Sequence, residues 1–276
     1  MSDRLRIAIL GAGYVGSALA RAAADAQHAV WAVRRSPPAA EHGVTWIAAD
    51  VTQTGILGLP EQLDAVVLTV APGRGPGSYA ATYPPTASTA VALAQLCGAR
   101  ALLYTSSTGV YGGRDGVWVT EQSLRRGEGE AQAALIAAED IILGSEAAAP
   151  TVLRVAGIYG PGRDPRARMA ASEQLAQRGE YWVNLAHRDD IVAALLHSCV
   201  LPDAPRVLNV SDGSPTPARD VARWLAAASG RDPDALVFCN DGERSRNDQR
   251  VSNAALVATG WLPRYRSFAE GFTSGL

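Results

Sequence analysis

No lysine occurs anywhere in this chain; all 25 basic residues are arginine. Chemistry that needs a lysine ammonium is therefore excluded at every position. Cysteine is scarce as well. Cys97, Cys199 and Cys239 are odd in number, widely spaced and in no CxxC pair. They read as reduced packing thiols and argue against metal ligation. The four histidines, His28, His42, His187 and His197, form no HExxH pattern, so no zinc site is expected. No apolar run reaches the ~18 residues of a membrane span. A net charge of −2 gives no basic footprint for nucleic acid or an acidic membrane. Arg4 and Arg6 precede an apolar stretch, but that stretch continues into an amphipathic helix, so export is not expected and a cytoplasmic location is. What remains is an ordinary globular composition, 47% hydrophobic and 19% charged over 276 residues, enough for one large α/β domain or a domain with a smaller appendage.

The most informative segment is Ile7-Ala8-Ile9-Leu10-Gly11-Ala12-Gly13-Tyr14-Val15-Gly16. A G-x-G-x-x-G turn lies directly after a strand pattern and before a helix pattern, the context that gives this motif meaning. Gly11 permits the tight turn. Gly13 lets a pyrophosphate approach the backbone, and Gly16 lets the helix lie close on the strand. The N–H groups of the first turn, including Tyr14 and Val15, then face an anion at the positive end of the helix dipole.

Beyond it, strand and helix patterns alternate. Strands are expected at Leu5–Leu10, Ala29–Val33, Val44–Ala48, Asp64–Val70, Ala101–Thr105 and Thr151–Ala156. Helices follow Gly13 and fill Ser78–Cys97 and Ala131–Glu146. Asp64–Val70 is a continuous apolar run, as suits a parallel strand covered on both faces. The alternation predicts an α/β fold, a doubly wound parallel (Rossmann) sheet over residues 1–156. Residues 157–276 read as a smaller, mainly substrate-side region with segments returning to the sheet. Helix-like stretches there are Arg166–Arg178, Asp189–Val200 and Pro217–Ala228; strand-like ones are Val207–Val210 and Leu236–Cys239.

The end of the second strand indicates which dinucleotide fits. NAD-binding folds place a carboxylate there, about 20 residues after the glycines, for the ribose hydroxyls. This chain has Arg34-Arg35-Ser36 instead. Arginine forks onto a dianionic 2′-phosphate, so NADP is favoured over NAD. Asp50-Val51, after the third strand, are placed for the adenine edge.

The run Thr105-Ser106-Ser107-Thr108-Gly109-Val110-Tyr111-Gly112 resembles the SS-x-x-VYG signature of extended short-chain dehydrogenases/reductases, the NAD(P)-dependent epimerase/dehydratase group. Leu153-Arg154-Val155-Ala156-Gly157-Ile158-Tyr159-Gly160-Pro161-Gly162 resembles its LR-x-x-x-IYGPG segment, and Asn184 to Asp190 its N-x-I-H-x-D-D segment. Leu208 to Asp212 resembles the strand that follows. The resemblance implies further cofactor contacts at Ala71, Thr105, Ser106, Ala156 and Ile158. It carries over the carbonyl-polarising serine to Ser107. The family's Y-x-x-x-K pair does not carry over. Anchored on Glu139, the register places Ala131 at the tyrosine and Leu135 at the lysine, and no tyrosine lies between Tyr111 and Tyr159. An unassisted phenol titrates near pH 10 and is a poor base at neutrality. The chain thus resembles the atypical members, whose acid is another residue, water or the substrate.

Ser107 is the candidate hydrogen-bond donor to a developing oxyanion, and Tyr111 the protein-derived proton donor, with packing under the loop as its equal alternative. Tyr159 and His187 are read as more structural than catalytic, and Arg163 and Arg168 as weaker candidates for an anionic substrate. The expected function is an NADP-dependent reductase of a small carbonyl or imine. A non-redox lyase, isomerase or cyclase, or an NADP-binding regulator without turnover, stay open, since fold alone does not choose. A homodimer through the alanine-rich helices Ser78–Cys97 and Ala131–Glu146 is also expected.

Overall fold

The last four residues of strand β1 (Arg6–Leu10) are buried, as a central parallel strand requires. The computed structural model describes all residues other than 1–3, 40–42, 54, 57, 74, 114, 147–148, 167–175, 178–180, 202, 239–247 and 275–276. On one side β1 pairs in parallel with β2 (Ala29–Arg34), which pairs with β3 (Val44–Ala48). On the other side lie β4 (Ala65–Leu68) and β5 (Ala101–Ser107). A short strand, β6 (Val117–Val119), lies outside the sheet, which β7 (Pro150–Val155) and β12 (Val207–Val210) complete. The order β12-β7-β5-β4-β1-β2-β3 reverses between β1 and β4. In such a sheet ligands bind beyond the carboxyl ends of the strands at that switch point. Leu10 faces Val33 and Leu68 in register, so the glycine turn emerges there.

Helices α1 (Tyr14–Asp25), α2 (Tyr83–Leu96) and α3 (Glu130–Leu143) cover this sheet. α2 begins five residues later than the pattern predicted, because Pro84 and Pro85 occupy its first turn. Proline lacks the N–H and its ring obstructs a preceding helical turn, so it fixes the start. α3 ends at Leu143, before Gly144. Both helices put alanine into the interior, with Ala87, Ala90, Ala94 and Ala138 in the same apolar cluster as Leu10, Leu68 and Leu102. Each fully buried leucine or isoleucine there contributes about 1.5–3 kcal/mol.

Two compact units make up the chain. The first comprises Met1–Val110, Arg126–Arg154 and Ile191–Leu208; the second comprises Tyr111–Arg125, Val155–Asp190 and Asn209–Leu276. The second is built of short two-stranded pairs. β8 (Gly157–Tyr159) pairs with β11 (Leu185–His187), and β9 (Ala176–Gln177) with β14 (Val237–Phe238). β10 (Trp182–Val183) pairs with β13 (Thr216–Pro217), and β15 (Gln249–Val251) with β6. Of the expected helix Arg166–Arg178, most lies outside the described residues, and Ala176–Gln177 is strand β9. Helix α4 (Arg188–Val200) follows β11. Helix α5 (Ala218–Ala228) buries Val221, Ala222, Leu225 and Ala226 against Phe268 and Phe272. A five-residue α6 (Ala254–Ala258) and α7 (Phe268–Ser274) complete the unit. Among the described residues no helix is long and apolar enough to cross a membrane.

Candidate active site

The three glycines of the turn differ in what the fold asks of them. Gly11 has φ +83°, and a Cβ there would fall 2.8 Å from Val70 Cα, so only glycine fits. Gly16 would place a Cβ 2.9 Å from the Gly11 carbonyl oxygen and against Thr69 Oγ1, so its absence sets how closely α1 lies on the sheet. Gly13 is different. A Cβ there would meet nothing nearer than Gly11 O at 3.8 Å, so no neighbouring atom of the protein excludes a side chain. The missing Cβ instead leaves the backbone accessible at the N-terminus of α1. That helix has neither a side-chain cap nor an acidic residue in its first turn. Its dipole end is left to an outside anion, and a dinucleotide pyrophosphate fits it.

The second strand is tied directly to this turn. Val33 O accepts from Gly11 N–H at 3.0 Å and Ala12 N–H at 2.8 Å. Arg34, half-buried, and Arg35 and Ser36, both exposed, follow immediately. Ala49 N–H donates to Arg34 O at 3.2 Å, which brings the end of β3 alongside. Asp50 there accepts from Thr52 N–H at 2.9 Å and Thr52 Oγ–H at 2.8 Å. Those bonds, with the Arg35 charge nearby, hold its carboxyl below the usual range. The Val51 side chain belongs to the core, so only its backbone can serve an adenine. Ala71 is exposed just beyond β4.

Along β5 the side chains alternate between the two faces of the sheet. Thr105 and Ser107 are half-exposed, while Ser106 between them is buried. Thr105 Oγ–H donates to Leu68 O at 3.1 Å. Ser107 Oγ accepts from Gly109 N–H at 3.1 Å and retains its own hydroxyl proton as a donor. The side chain of Ser106, a residue expected at the cofactor, is turned inward by this alternation, which leaves only its backbone for such a contact. Its hydroxyl donates inward to Glu139 Oε1 at 2.6 Å. Glu139 is in turn gripped by Arg154, through Nε at 3.0 and 3.2 Å and Nη2 at 2.7 Å. All three residues are buried. Glu139, in the sequence no more than an anchor for the family register, is thus the centre of a buried network. The signal was present: a glutamate on the apolar face of an alanine-rich helix needs a cationic partner. Ala131 is half-buried and Leu135 buried on this helix, so neither position supplies a polar group.

The remaining candidates belong to the second unit. Tyr111, expected as a proton donor, is 1% exposed and donates its phenol proton to Asn209 Oδ1 at 2.6 Å. Asn209 N–H donates to Glu121 Oε1 at 2.8 Å and its amide to Ser252 O at 3.0 Å. The Tyr111 phenol is thus buried with its proton on Asn209, an arrangement that favours packing over proton donation. Ala156 is buried, with its N–H on Val210 O, and Ile158 is exposed. Tyr159 and His187 stack edge-on at 5.2 Å, and His187 lies 4.3 Å from the Tyr265 ring. The Tyr159 hydroxyl is buried with no hydrogen-bond partner among the described residues, and burial pushes its phenol up. It is a poor proton source. Arg163 lies at the isolated Gly160–Arg163 bridge, while Arg168 and Cys239 lie outside the described residues. No group of three metal-ligating side chains occurs among the described residues.

Asp212 was also not singled out by the sequence. It is 5% exposed, and burial, reinforced by the neighbouring Asp190 carboxylate, raises it to about 7 despite the Ser214 N–H bond. Between pH ~4 and ~7 the folded chain holds a proton that the unfolded chain has released, so stability falls as pH rises through that window. Asp212→Asn keeps the oxygen that accepts from Ser214 and removes the titration. Its unfolding free energy is expected to decline less from pH 5 to pH 8, the wild-type excess slope being at most about 1.4 kcal/mol per pH unit. Urea unfolding of both proteins checks this, and parallel pH profiles would refute it.

Residues 7–211 match the model of the NAD dependent epimerase/dehydratase family. Protein YeeZ of Escherichia coli (strain K12) is 32% identical over 120 residues, 44% of this chain and 42% of YeeZ, so the match spans less than half of that relative. A Methylobacillus flagellatus structure, provisionally described as an NAD-dependent epimerase/dehydratase, is 27% identical and superposes with a TM-score of 0.80 over 99% of this chain and 97% of that one. Bordetella bronchiseptica WbmG, solved with NAD and UDP, shares the fold at 20% identity, with a TM-score of 0.81 over 99% and 94% of the two chains. With its glycine turn at the sheet's switch point and its IYGPG segment in place, the chain belongs to the NAD dependent epimerase/dehydratase family, of the extended short-chain dehydrogenase/reductase type and without the Y-x-x-x-K pair.

Proposed function

We propose that this protein is an NADP-dependent reductase of a small carbonyl or imine, working without a tyrosine–lysine pair. The observation that carries the cofactor choice is the strand end itself: Arg34-Arg35-Ser36 follow Val33, whose carbonyl is bonded to the glycine turn, with no carboxylate on that strand end. Bound there, the nicotinamide dinucleotide would supply hydride. The chain's own part is to hold the pyrophosphate at the Gly13 backbone, grip a 2′-phosphate with Arg34 or Arg35, and offer the Ser107 hydroxyl to a developing oxyanion. Because the Tyr111 proton is committed to Asn209, the reading takes the proton from water or from the substrate.

Calorimetry is expected to show NADPH bound about 10–100-fold more tightly than NADH, the range of one charge-assisted phosphate contact. Arg34→Asp should reverse or abolish that preference. Equal affinities in the unmutated protein would sink the cofactor assignment.

A second reading draws on Ala131 and Leu135, which leave helix α3 without the family's acid–base pair. On it the protein is a lyase, isomerase or cyclase, or a regulator that binds NADP without turnover. Loss of nicotinamide absorbance at 340 nm with a panel of carbonyl and imine compounds separates the two.

A further inference from the structure

Arg250 lies opposite Trp118 in the register of β15 and β6. Its guanidinium carbon sits over the Trp118 ring at 5.1 Å from the centroid and over the Trp182 ring at 5.0 Å. Arg250 Nε donates to Gly116 O at 2.6 Å. Gly116 has φ +67°, and a Cβ there would fall 2.9 Å from Trp182 Cδ1, so glycine is what lets that indole lie so close. Asp248, two residues before the arginine, is turned to other work. Its carboxylate accepts from Trp182 N–H at 3.0 Å and its carbonyl from Gly116 N–H at 3.0 Å. Asp248 thus holds both Trp182 and Gly116, while Trp118 is placed by the pairing of β6 with β15.

No counter-charge meets the guanidinium among the described residues. Arg6, Arg100, Arg154 and Arg166 each meet a carboxylate, but half-buried Arg250 has none within ion-pair distance among the described residues. Indole faces attract a cation by about 0.5–2 kcal/mol each, yet they neither neutralise it nor use its terminal N–H groups. Arginine carries five donors, and among the described residues only Nε has a hydrogen-bond acceptor. The Nη edge is a planar fork that matches a carboxylate or phosphate. Because the side chain is already fixed, little rotamer freedom remains to be lost on binding.

We propose that Arg250, fixed by Trp118, Trp182 and Gly116, is a binding point within the second unit for the phosphate or carboxylate group of a small-molecule ligand. Anion binding at Arg250 is independent of the proposed reductase activity. The bland alternative is an arginine that only covers two indoles.

The test titrates the full chain with sodium phosphate and, separately, sodium acetate to about 50 mM at constant ionic strength, reading tryptophan fluorescence. A saturable response is expected in the wild type, at least tenfold weaker in Arg250→Gln and intact in Arg34→Asp. Responses to both anions indicate a general oxyanion site; a response to one alone names the class. No saturable response in the wild type, an equal response in Arg250→Gln, or loss of the response in Arg34→Asp would overturn the proposal. Circular dichroism checks folding. If Arg250→Gln does not fold, Arg250→Lys takes its place: it keeps the charge without the fork and is expected to bind several-fold more weakly, so equal binding would overturn the proposal too. Failure of NADPH binding in the same proteins speaks only to the cofactor assignment.

Discussion

Glu139→Ala is expected to destabilise the protein by about 3–5 kcal/mol, because it strands a buried guanidinium. Arg154 is 3% exposed and Glu139 fully buried, so water cannot replace the lost carboxylate. Ser106 loses its acceptor in the same step. In a chain of this size the melting temperature should fall by roughly 10 °C or more. The double variant Glu139→Leu, Arg154→Met is expected to recover most of that loss, since a buried ion pair costs so much desolvation that apolar residues of similar volume often match it. Urea unfolding of the two variants decides the matter. A single-variant loss below about 1 kcal/mol would mean that the network is hydrated or that the site relaxes. The network's position is as informative as its strength: it clamps the residue between Thr105 and Ser107 on the opposite face of the strand.

Ser107→Ala is expected to slow single-turnover oxidation of NADPH by about 10²–10³-fold, the loss typical of one oxyanion donor. Affinity for NADPH should stay within about threefold, because the hydroxyl is assigned to the reacting group and not to the cofactor. Stopped-flow fluorescence, with binding measured independently, separates the two quantities. Tyr111→Phe is the informative contrast. Its phenol is buried against Asn209, so its removal should cost about 1 kcal/mol of stability and leave the chemical step nearly unchanged. Unchanged hydride transfer in Ser107→Ala would remove this serine from the mechanism and favour substrate-assisted or non-redox chemistry. A large rate loss in Tyr111→Phe would restore the phenol as a proton donor.

Features set by neighbours in the chain could be read from the residues alone. The glycine turn is such a case: strand, turn and helix are contiguous, and Gly11 and Gly16 answer constraints from within a few residues or from the end of the adjacent strand, while Gly13 leaves the backbone open. The absence of lysine is another, since no fold can bring in a residue the chain does not contain. Pro84 and Pro85 held the true start of α2, although the alanine-rich pattern suggested an earlier one. The position of the arginines at the end of β2 was legible because it is counted from the glycines, and Val33 O, bonded to Gly11 and Ala12 N–H, ties the strand end to that turn.

Contacts between distant segments were not legible. Ser106 and Ser107 are adjacent and identical in type. Which of them turns inward depends on where β5 extends and on α3 lying over one face of it, facts that periodicity over two residues cannot supply. Tyr111 and Asn209 are 98 positions apart, and only their meeting decides that a plausible proton donor is a packing residue. The Arg250 site joins β15, β6, β10 and a glycine, and no spacing in the sequence links them. The sequence by itself determined the Rossmann-like α/β fold, its glycine turn and the absence of a lysine-assisted tyrosine, because these depend on residue type and local order. The tertiary structure alone decided which polar side chains face inward, because burial and partnership arise only when separated segments pack and water is excluded between them.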